Sequence, residues 1–424
     1  MSGSADEDVS RRTFLKSVTA AAAATSSAGF FAAAGEPEKR SFKIGLIGCG
    51  GRGGGAINDC ITAGKLLGVD INVVAVADAY ADRANGVAKA HNVPENRVFT
   101  GFSAYRKLVD TDVDIVLMAT SPNFRPAHVA AAVAAGKHMF IEKPVAVDPV
   151  GCQKMYKLGE EAKKKKLVAV AGTCLRHAKG YASTRKVVAE DKAIGKIQGG
   201  TIYYCVGRLW FRTREPAWTD AEYMVRNWVS FVEMSGDHIV EQYVHTLDML
   251  NWYMGTHPIA TVGVGGRARR KTGNQFDFFS NDLEYPNNVH VHGICRQVDG
   301  CFNKANALEL ACEKGYSNGN GVVKDADGNN IPLPTLQFHD SMYVQEHIVL
   351  LDSLLKGQPV NDIEAVTDAT LSSVMSRISA YTGQRVTWDE MMKSGLALTP
   401  TADDFEAGTV KAPPDDVVSI PGKG

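Results

Sequence analysis

Glu241 and His245 stand four residues apart, a spacing that places a carboxylate and an imidazole on one face of a helix. Imidazole titrates near working pH, so His245 is a natural proton carrier, and the carboxylate could orient it or bind a hydroxyl group. His238 lies three residues before Glu241 and would add a third metal ligand if the helix began early enough. Ser235-Gly236-Asp237 reads instead as a helix start that splays His238 away, so no metal is predicted. A second constellation, Gly48-Cys49-Gly50-Gly51-Arg52-Gly53, fits G-x-G-x-x-G. It follows the apolar run Phe42–Gly48 and precedes a helix expected to reach about Ala63, the context in which this short motif cradles a dinucleotide. The first glycine permits a tight turn, the second lets backbone amides approach a pyrophosphate, and the third packs helix on strand. Asp78 closes the next β-branched run, where an acid accepts hydrogen bonds from adenosine ribose hydroxyls and repels a 2′-phosphate. NAD is therefore expected in preference to NADP, with Arg83 the one nearby group that could accommodate a phosphate.

These groups need a scaffold. The runs Val113–Thr120 and His138–Pro144, with the alanine-rich helix His128–Ala135 between them, continue the alternation that marks a parallel, doubly wound sheet. From about Leu167 the texture changes. Thr201–Val206, Thr261–Gly265, Val289–Gln297 and Ala305–Cys312 read as strands without regular intervening helices, and long helices return near Ser235–Tyr253 and Tyr343–Lys356. The expected fold class is α/β: a Rossmann dinucleotide-binding domain over residues 41–166, then an α+β domain with a mixed or antiparallel sheet over 167–400. Residues 401–424, rich in Asp, Pro and Gly, read as an extended tail.

Gly136-Lys137-His138-Met139-Phe140-Ile141-Glu142-Lys143-Pro144, together with the glycine loop, resembles the Gfo/Idh/MocA family of oxidoreductases. Ala119-Thr120-Ser121-Pro122-Asn123 is similar to that family's loop beside the nicotinamide half, and Glu241–Asp248 resembles its second-domain helix. Trp388-Asp389-Glu390 resembles the C-terminal end of exported members from planctomycete-type bacteria. The resemblance implies an open second-domain sheet, NAD or NADP as cofactor, and a sugar, inositol or glycoside as substrate. It implies that Thr120, Ser121, Pro122 and Asn123 line the cofactor and that Glu142 lies near the nicotinamide ribose. Lys143 is then a catalytic cation, stabilising developing alkoxide charge or relaying a proton. His245 is implied as acid/base, beside a position where many members have Asp and this chain has Glu241, which leaves the division of labour open. Arg176 and His177 occupy the family's substrate-facing turn. Asp248 could orient the helix or a ligand, while Trp228 and Trp210 could stack on a sugar or pack in a core. Relatives are often dimers or tetramers, so a homo-oligomer is implied.

Ser10-Arg11-Arg12-Thr13-Phe14-Leu15-Lys16, ahead of a mild apolar run to Ala34, resembles a twin-arginine export signal with cleavage just after Ala34. Residues 1–40 are thus expected to be signal and linker, read by the twin-arginine machinery and directing the protein to the periplasm. Neither this run nor any later one is apolar enough for a stable membrane span. Charges nearly cancel, 46 Lys and Arg against 47 Asp and Glu, so no global field recruits nucleic acid or anionic lipid. Eight cysteines show no CxxC pair and read mostly as small buried hydrophobes.

Export would separate the protein from free cofactor. The expectation is an oxidoreductase that carries tightly bound NAD and recycles it on the enzyme, through a second sugar or by returning hydride to the first. The latter would allow epimerisation or oxidation-assisted glycoside cleavage. From a different class, a Rossmann-fold binding protein without turnover remains open, because Glu occupies position 241.

Overall fold

The computed structural model describes residues 40–415 and 417–422, so the export-signal reading falls outside the described residues. Six parallel strands form the first sheet: β1 (Ser41–Ile47), β2 (Asp70–Asp78), β3 (Val98–Thr100), β4 (Ile115–Met118), β5 (His138–Ile141) and β6 (Ala169–Ala171). Their spatial order is β3-β2-β1-β4-β5-β6. Helices cover both faces, so the strands are apolar where they are covered and successive side chains serve opposite layers. Val116 and Met118 pack toward the helices Arg125–Ala134 and Pro149–Lys164. Ile115, Leu117 and Phe140 pack toward Gly51–Leu67 and Met342–Lys356. The strand order reverses between β1 and β4, which opens a crevice at their carboxyl ends.

Two boundaries differ from expectation. β6 pairs in parallel with β5, so the first sheet continues beyond residue 166. The helix Met342–Lys356, remote in sequence, completes a layer of the first domain by packing on Gly51–Leu67. Interdigitation of this kind leaves no mark in local composition.

The second sheet comprises β7 (Ile197–Val206), β8 (Ala260–Gly266), β9 (Phe278–Tyr285), β10 (Val289–Gln297), β11 (Lys304–Cys312), β12 (Gly315–Ser317), β13 (Val323–Asp325) and β14 (Val386–Thr387). The order is β13-β12-β11-β7-β10-β9-β8-β14, with β7 and β10 parallel and the other pairs antiparallel. Helices Val244–Met254 and Ile363–Thr382 bury one face. The opposite face leaves Val262, Val264 and Phe278 exposed.

The expected helix over Ser235–Tyr253 is three pieces: Val232–Ser235, His238–Glu241 and Val244–Met254. Gly236 and Asp237 break it with φ of +78° and +76°. Asp237, with φ +76° and ψ +163° in a region otherwise almost confined to glycine, is held by four donors: the amides of His238 and Phe276, the Tyr381 hydroxyl at 2.6 Å and the His238 ring at 2.8 Å. Burial pushes its pKa up, but the His238 and Tyr381 contacts outweigh that and hold it below the usual range. The tail is likewise not extended throughout. Thr401 and Asp404 form a reciprocal cap on a helix Ala402–Ala407 that buries Phe405.

Six of the eight cysteines are buried, Cys312 is half-buried and Cys301 exposed, all as free thiols.

Candidate active site

The glycine loop joins β1 to the helix Gly51–Leu67. Gly48 has φ of +95°, and a Cβ there would stand 2.7 Å from the Thr120 amide, so only glycine lets the turn pass the end of β4. A Cβ on Gly53 would meet the Gly48 carbonyl at 2.0 Å, which explains the third glycine as a close helix–strand contact. Gly50 and Gly51 differ: added Cβ atoms meet nothing nearer than the Arg83 guanidinium at 3.6 Å. The helix start has no side-chain cap and no acid in its first turn, so its amides face an open cleft of about 510 Å³. Uncapped helix amides beside glycines accept an anion, and the cleft therefore fits a dinucleotide's diphosphate. Asp78 sits at its edge, accepting from the Cys49 amide at 2.7 Å and the Tyr80 amide at 3.0 Å. Burial raises its pKa, partly offset by these amides. It fixes the glycine turn while keeping lone pairs toward the cleft, which Thr120 and Ser121 also line.

Lys143 follows β5 at the same carboxyl edge. Its ammonium donates to the Glu241 carbonyl at 2.7 Å and to the Glu241 carboxylate at 2.9 Å. The helix break makes this possible. In a continuous helix the Glu241 carbonyl would accept from the His245 amide, which here bonds Gln242 at 3.2 Å instead. The freed carbonyl caps a lysine from the other domain. His245 stands close enough for burial, then Lys143, then Arg52, to hold its pKa well below the ordinary value. Burial and these two cations disfavour its imidazolium.

Glu142 is buried and tied to Arg52 of the glycine loop. Arg52 also reaches Glu346 at 2.7 Å and Asp59 at 3.1 Å, joining the loop, β5 and the helix Met342–Lys356. Gly172 makes room for Glu142, since a Cβ there would stand 2.8 Å from its carboxyl group. Gly172→Ala is expected to displace Glu142 and lower kcat/KM on the order of 10²-fold, as misplacement of a positioning group does. Steady-state kinetics with a retained fold, checked by circular dichroism, measures it.

Arg125 had given no sequence signal. It is buried, donates to the carbonyls of Pro144 and Thr120, and so locks the ends of β4 and β5 together; burial lowers its pKa to about 10. Tyr204 and Tyr343 were also missed. Tyr204 lies within electrostatic reach of Glu241 and Tyr343, and Arg52 stacks over the Tyr343 ring at 5.1 Å. No local spacing relates these three to Lys143.

The remaining predicted residues are placed as follows. Pro122 begins a short turn of helix, and Asn123 bonds Ser121 and the Met234 sulfur rather than facing the cleft. Arg176 and Asp248, expected to meet substrate, form a bidentate pair at 2.7 and 2.8 Å that satisfies both. His177 is beside them, its pKa lowered to about 4 by burial and by Arg176. Trp228 and Trp210 line the glycine-loop cleft rather than standing with Lys143 and Glu241. His238 is buried against Asp237 and Phe279, which leaves it outside the Glu241–His245 pair.

A doubly wound dinucleotide-binding sheet, with an acid–lysine–histidine group where it meets a mixed-sheet domain, defines a two-domain α/β protein of the Rossmann class. Residues 42–171 match the Gfo/Idh/MocA model described as the oxidoreductase family, NAD-binding Rossmann fold. The inositol 2-dehydrogenase of Acidothermus cellulolyticus is 30% identical over 238 residues, 55% of this chain and 60% of its own length. That of Paracoccus denitrificans is 33% identical over 155 residues, 35% of this chain and 42% of its own. The chain thus aligns with about half the length of these curated relatives. In solved structures the fold is shared over nearly the whole partner. A levoglucosan dehydrogenase in complex with NADH and levoglucosan has TM-score 0.64 at 16% identity, covering 82% of this chain and 99% of that one. The aldose-aldose oxidoreductase of Caulobacter crescentus has TM-score 0.62 at 16% identity, covering 82% and 100%. The model that this domain matches is described as NAD-binding, in keeping with the glycine loop and Asp78 at the cleft.

Proposed function

We propose that this protein transfers hydride between NAD and a secondary alcohol or ketone of a sugar, polyol or glycoside. The observation that carries this reading is the Lys143 ammonium, held at the carboxyl edge of the dinucleotide-binding sheet by the carbonyl and one carboxylate oxygen of Glu241, within electrostatic reach of His245. Bound NAD supplies the hydride-accepting ring, with Gly48, Gly50, Gly51, Arg52, Gly53, Asp78, Thr120, Ser121 and Glu142 as the residues that hold or frame it. The chain's own work is orientation and charge. Lys143 donates a hydrogen bond to the substrate oxygen and stabilises its developing negative charge. His245, neutral because burial and neighbouring cations disfavour the imidazolium, takes the hydroxyl proton. Glu241 fixes the lysine and leaves one carboxylate oxygen for a neighbouring hydroxyl. Relatives named for inositol and levoglucosan support a polyhydroxylated ring as substrate.

Export through the twin-arginine route, proposed from Arg11 and Arg12, would place this chemistry in the periplasm. A second sugar, or the oxidised form of the first, then serves as the acceptor that restores the enzyme. The exposed Val262, Val264 and Phe278 support a homo-oligomer through the open sheet face.

The test is a panel of sugars, inositols and glycosides added to purified protein, with and without added NAD. Growth of the reduced-nicotinamide absorbance with one class of substrate is expected. A saturated NAD site and no reduction across the panel would assign the protein to binding without turnover.

A further inference from the structure

The wall of the cofactor cleft opposite the glycine loop comes from the second domain. Trp210, Arg212, Val225, Arg226 and Trp228 line the same cleft as Gly50 and Asp78. They belong to one excursion, residues 207–228, that leaves β7 and crosses to the first domain before the chain returns to its own sheet. We infer that this strap is a cofactor-retaining wall, in which Trp210, Arg212 and Trp228 close over the bound dinucleotide and the C-terminal segment 402–415 latches the strap shut.

Three sets of contacts hold the strap. Buried Asn227 accepts from the Arg212 amide at 2.7 Å and donates to the Arg212 carbonyl at 3.0 Å, which pins the strap beside the cleft. Arg226 reaches across to Asp82 at 3.3 Å and lies over the Tyr80 ring at 4.8 Å, both at the adenosine end of the first domain. Phe405 of the tail packs on Phe102 and Phe124 of the first domain, in a cluster that also holds Tyr223, Met224 and Phe231 beside the strap. Asp415 then accepts from the Tyr223 hydroxyl at 2.6 Å and from the Gly273 amide at 3.0 Å, and Glu406 pairs with Arg106 at 3.2 Å. The tail therefore bridges strap and Rossmann domain.

The lining also divides its charges. Arg52 and Arg226 are each committed to carboxylates, whereas no carboxylate within the described residues pairs with Arg212. An uncommitted guanidinium in a cleft built for a diphosphate is a phosphate ligand. Trp210 is 47% exposed, meets Trp228 edge to face at 6.2 Å, and offers an aromatic surface to the dinucleotide. A ligand enclosed this way leaves only when strap and latch open together, which slows dissociation without changing the chemistry at Lys143.

This inference rests on NAD occupying the cleft, and the experiment separates the two. Protein loaded with NAD is mixed with isotope-labelled NAD, and exchange of the bound pool is followed by mass spectrometry for the wild type, a W210A/R212A variant and Phe405→Ala. Exchange about tenfold faster or more is expected in both variants, since binding differences reside mainly in the off-rate. The arginine change is also expected to weaken the dependence of exchange on salt. Wild type that holds no NAD would overturn the cofactor reading itself. Wild type that holds NAD, with W210A/R212A exchanging at the same rate, would overturn the strap alone. Should Phe405→Ala fail to fold, the surface pair decides.

Discussion

Lys143→Met is expected to lower kcat/KM by about 10³-fold, the scale associated with removing a positioned charge or proton-transfer group. The side chain is isosteric along its stem, so the loss falls on the ammonium. That ammonium bonds two oxygens of Glu241 across the domain cleft, and it is one of two cations that disfavour the imidazolium of His245. A second signature follows. With the cation gone, the folded-state pKa of His245 rises toward its ordinary value, and the acid limb of the residual activity moves to higher pH. A purely structural lysine would lower activity without moving that limb. Lys143→Arg keeps the charge but carries a planar fork in place of a point donor, and it is expected to retain the limb while losing most of the rate. Steady-state pH profiles of the three proteins make the comparison.

Acid sensitivity of the fold is the second large effect. His128 and His347 are buried, and each has its pKa lowered to about 3, first by burial and then by nearby arginines, Arg125 for His128 and Arg52 for His347. In the unfolded chain they protonate near 6.5, so below that pH the unfolded state binds more protons than the folded state. Stability is therefore present above about pH 6.5 and is lost as pH falls toward 3, by up to about 1.4 kcal/mol per pH unit at each site. Two units of acidification consume a large part of a typical domain's net stability. Among the described residues the ring nitrogens of His347 have no hydrogen-bond partner, and the ring lies 4.4 Å from Phe140. His347→Phe is accordingly expected to fold at neutral pH and to lose less stability on acidification. Denaturant midpoints at pH 7 and pH 5 test it; equal slopes for variant and wild type would show that the imidazole does not titrate on unfolding.

How much of this was legible in the sequence depended on whether its cause was local. The glycine loop, Asp78 and the strands that carry them announce themselves because turn sterics and β-branched runs act over a few residues. Lys143, Glu142 and His245 were readable as members of a family pattern. The breaks in the helix that carries Glu241 were not: the first depends on Asp237 finding Phe276 and Tyr381 from distant segments, and the second, at Gln242–Tyr243, turns the His245 amide to Gln242 and frees the Glu241 carbonyl. Arg125 looked like any helix-start arginine until its carbonyl partners were in place. The helix Ile363–Thr382 hid because its buried face is rich in Ser and Thr, whose hydroxyls bond carbonyls one turn back, as Thr367, Thr370 and Ser373 do. Trp228 and Asp248 were chemically plausible sugar contacts. Their surroundings, a cofactor cleft and an arginine partner, lie in other parts of the chain.

The central step of the proposed reaction is direct hydride transfer between a secondary carbinol and the bound nicotinamide. The sharpest measurement uses a polyol or sugar substrate from the panel, deuterated at the reacting carbon, with single turnover on NAD-loaded protein and isotopic analysis of the released cofactor. Deuterium at nicotinamide C4, arriving about 10³-fold more slowly in Lys143→Met, is the expected result. Substrate consumed with no deuterium on the cofactor, or a label that appears equally in the variant, would contradict it.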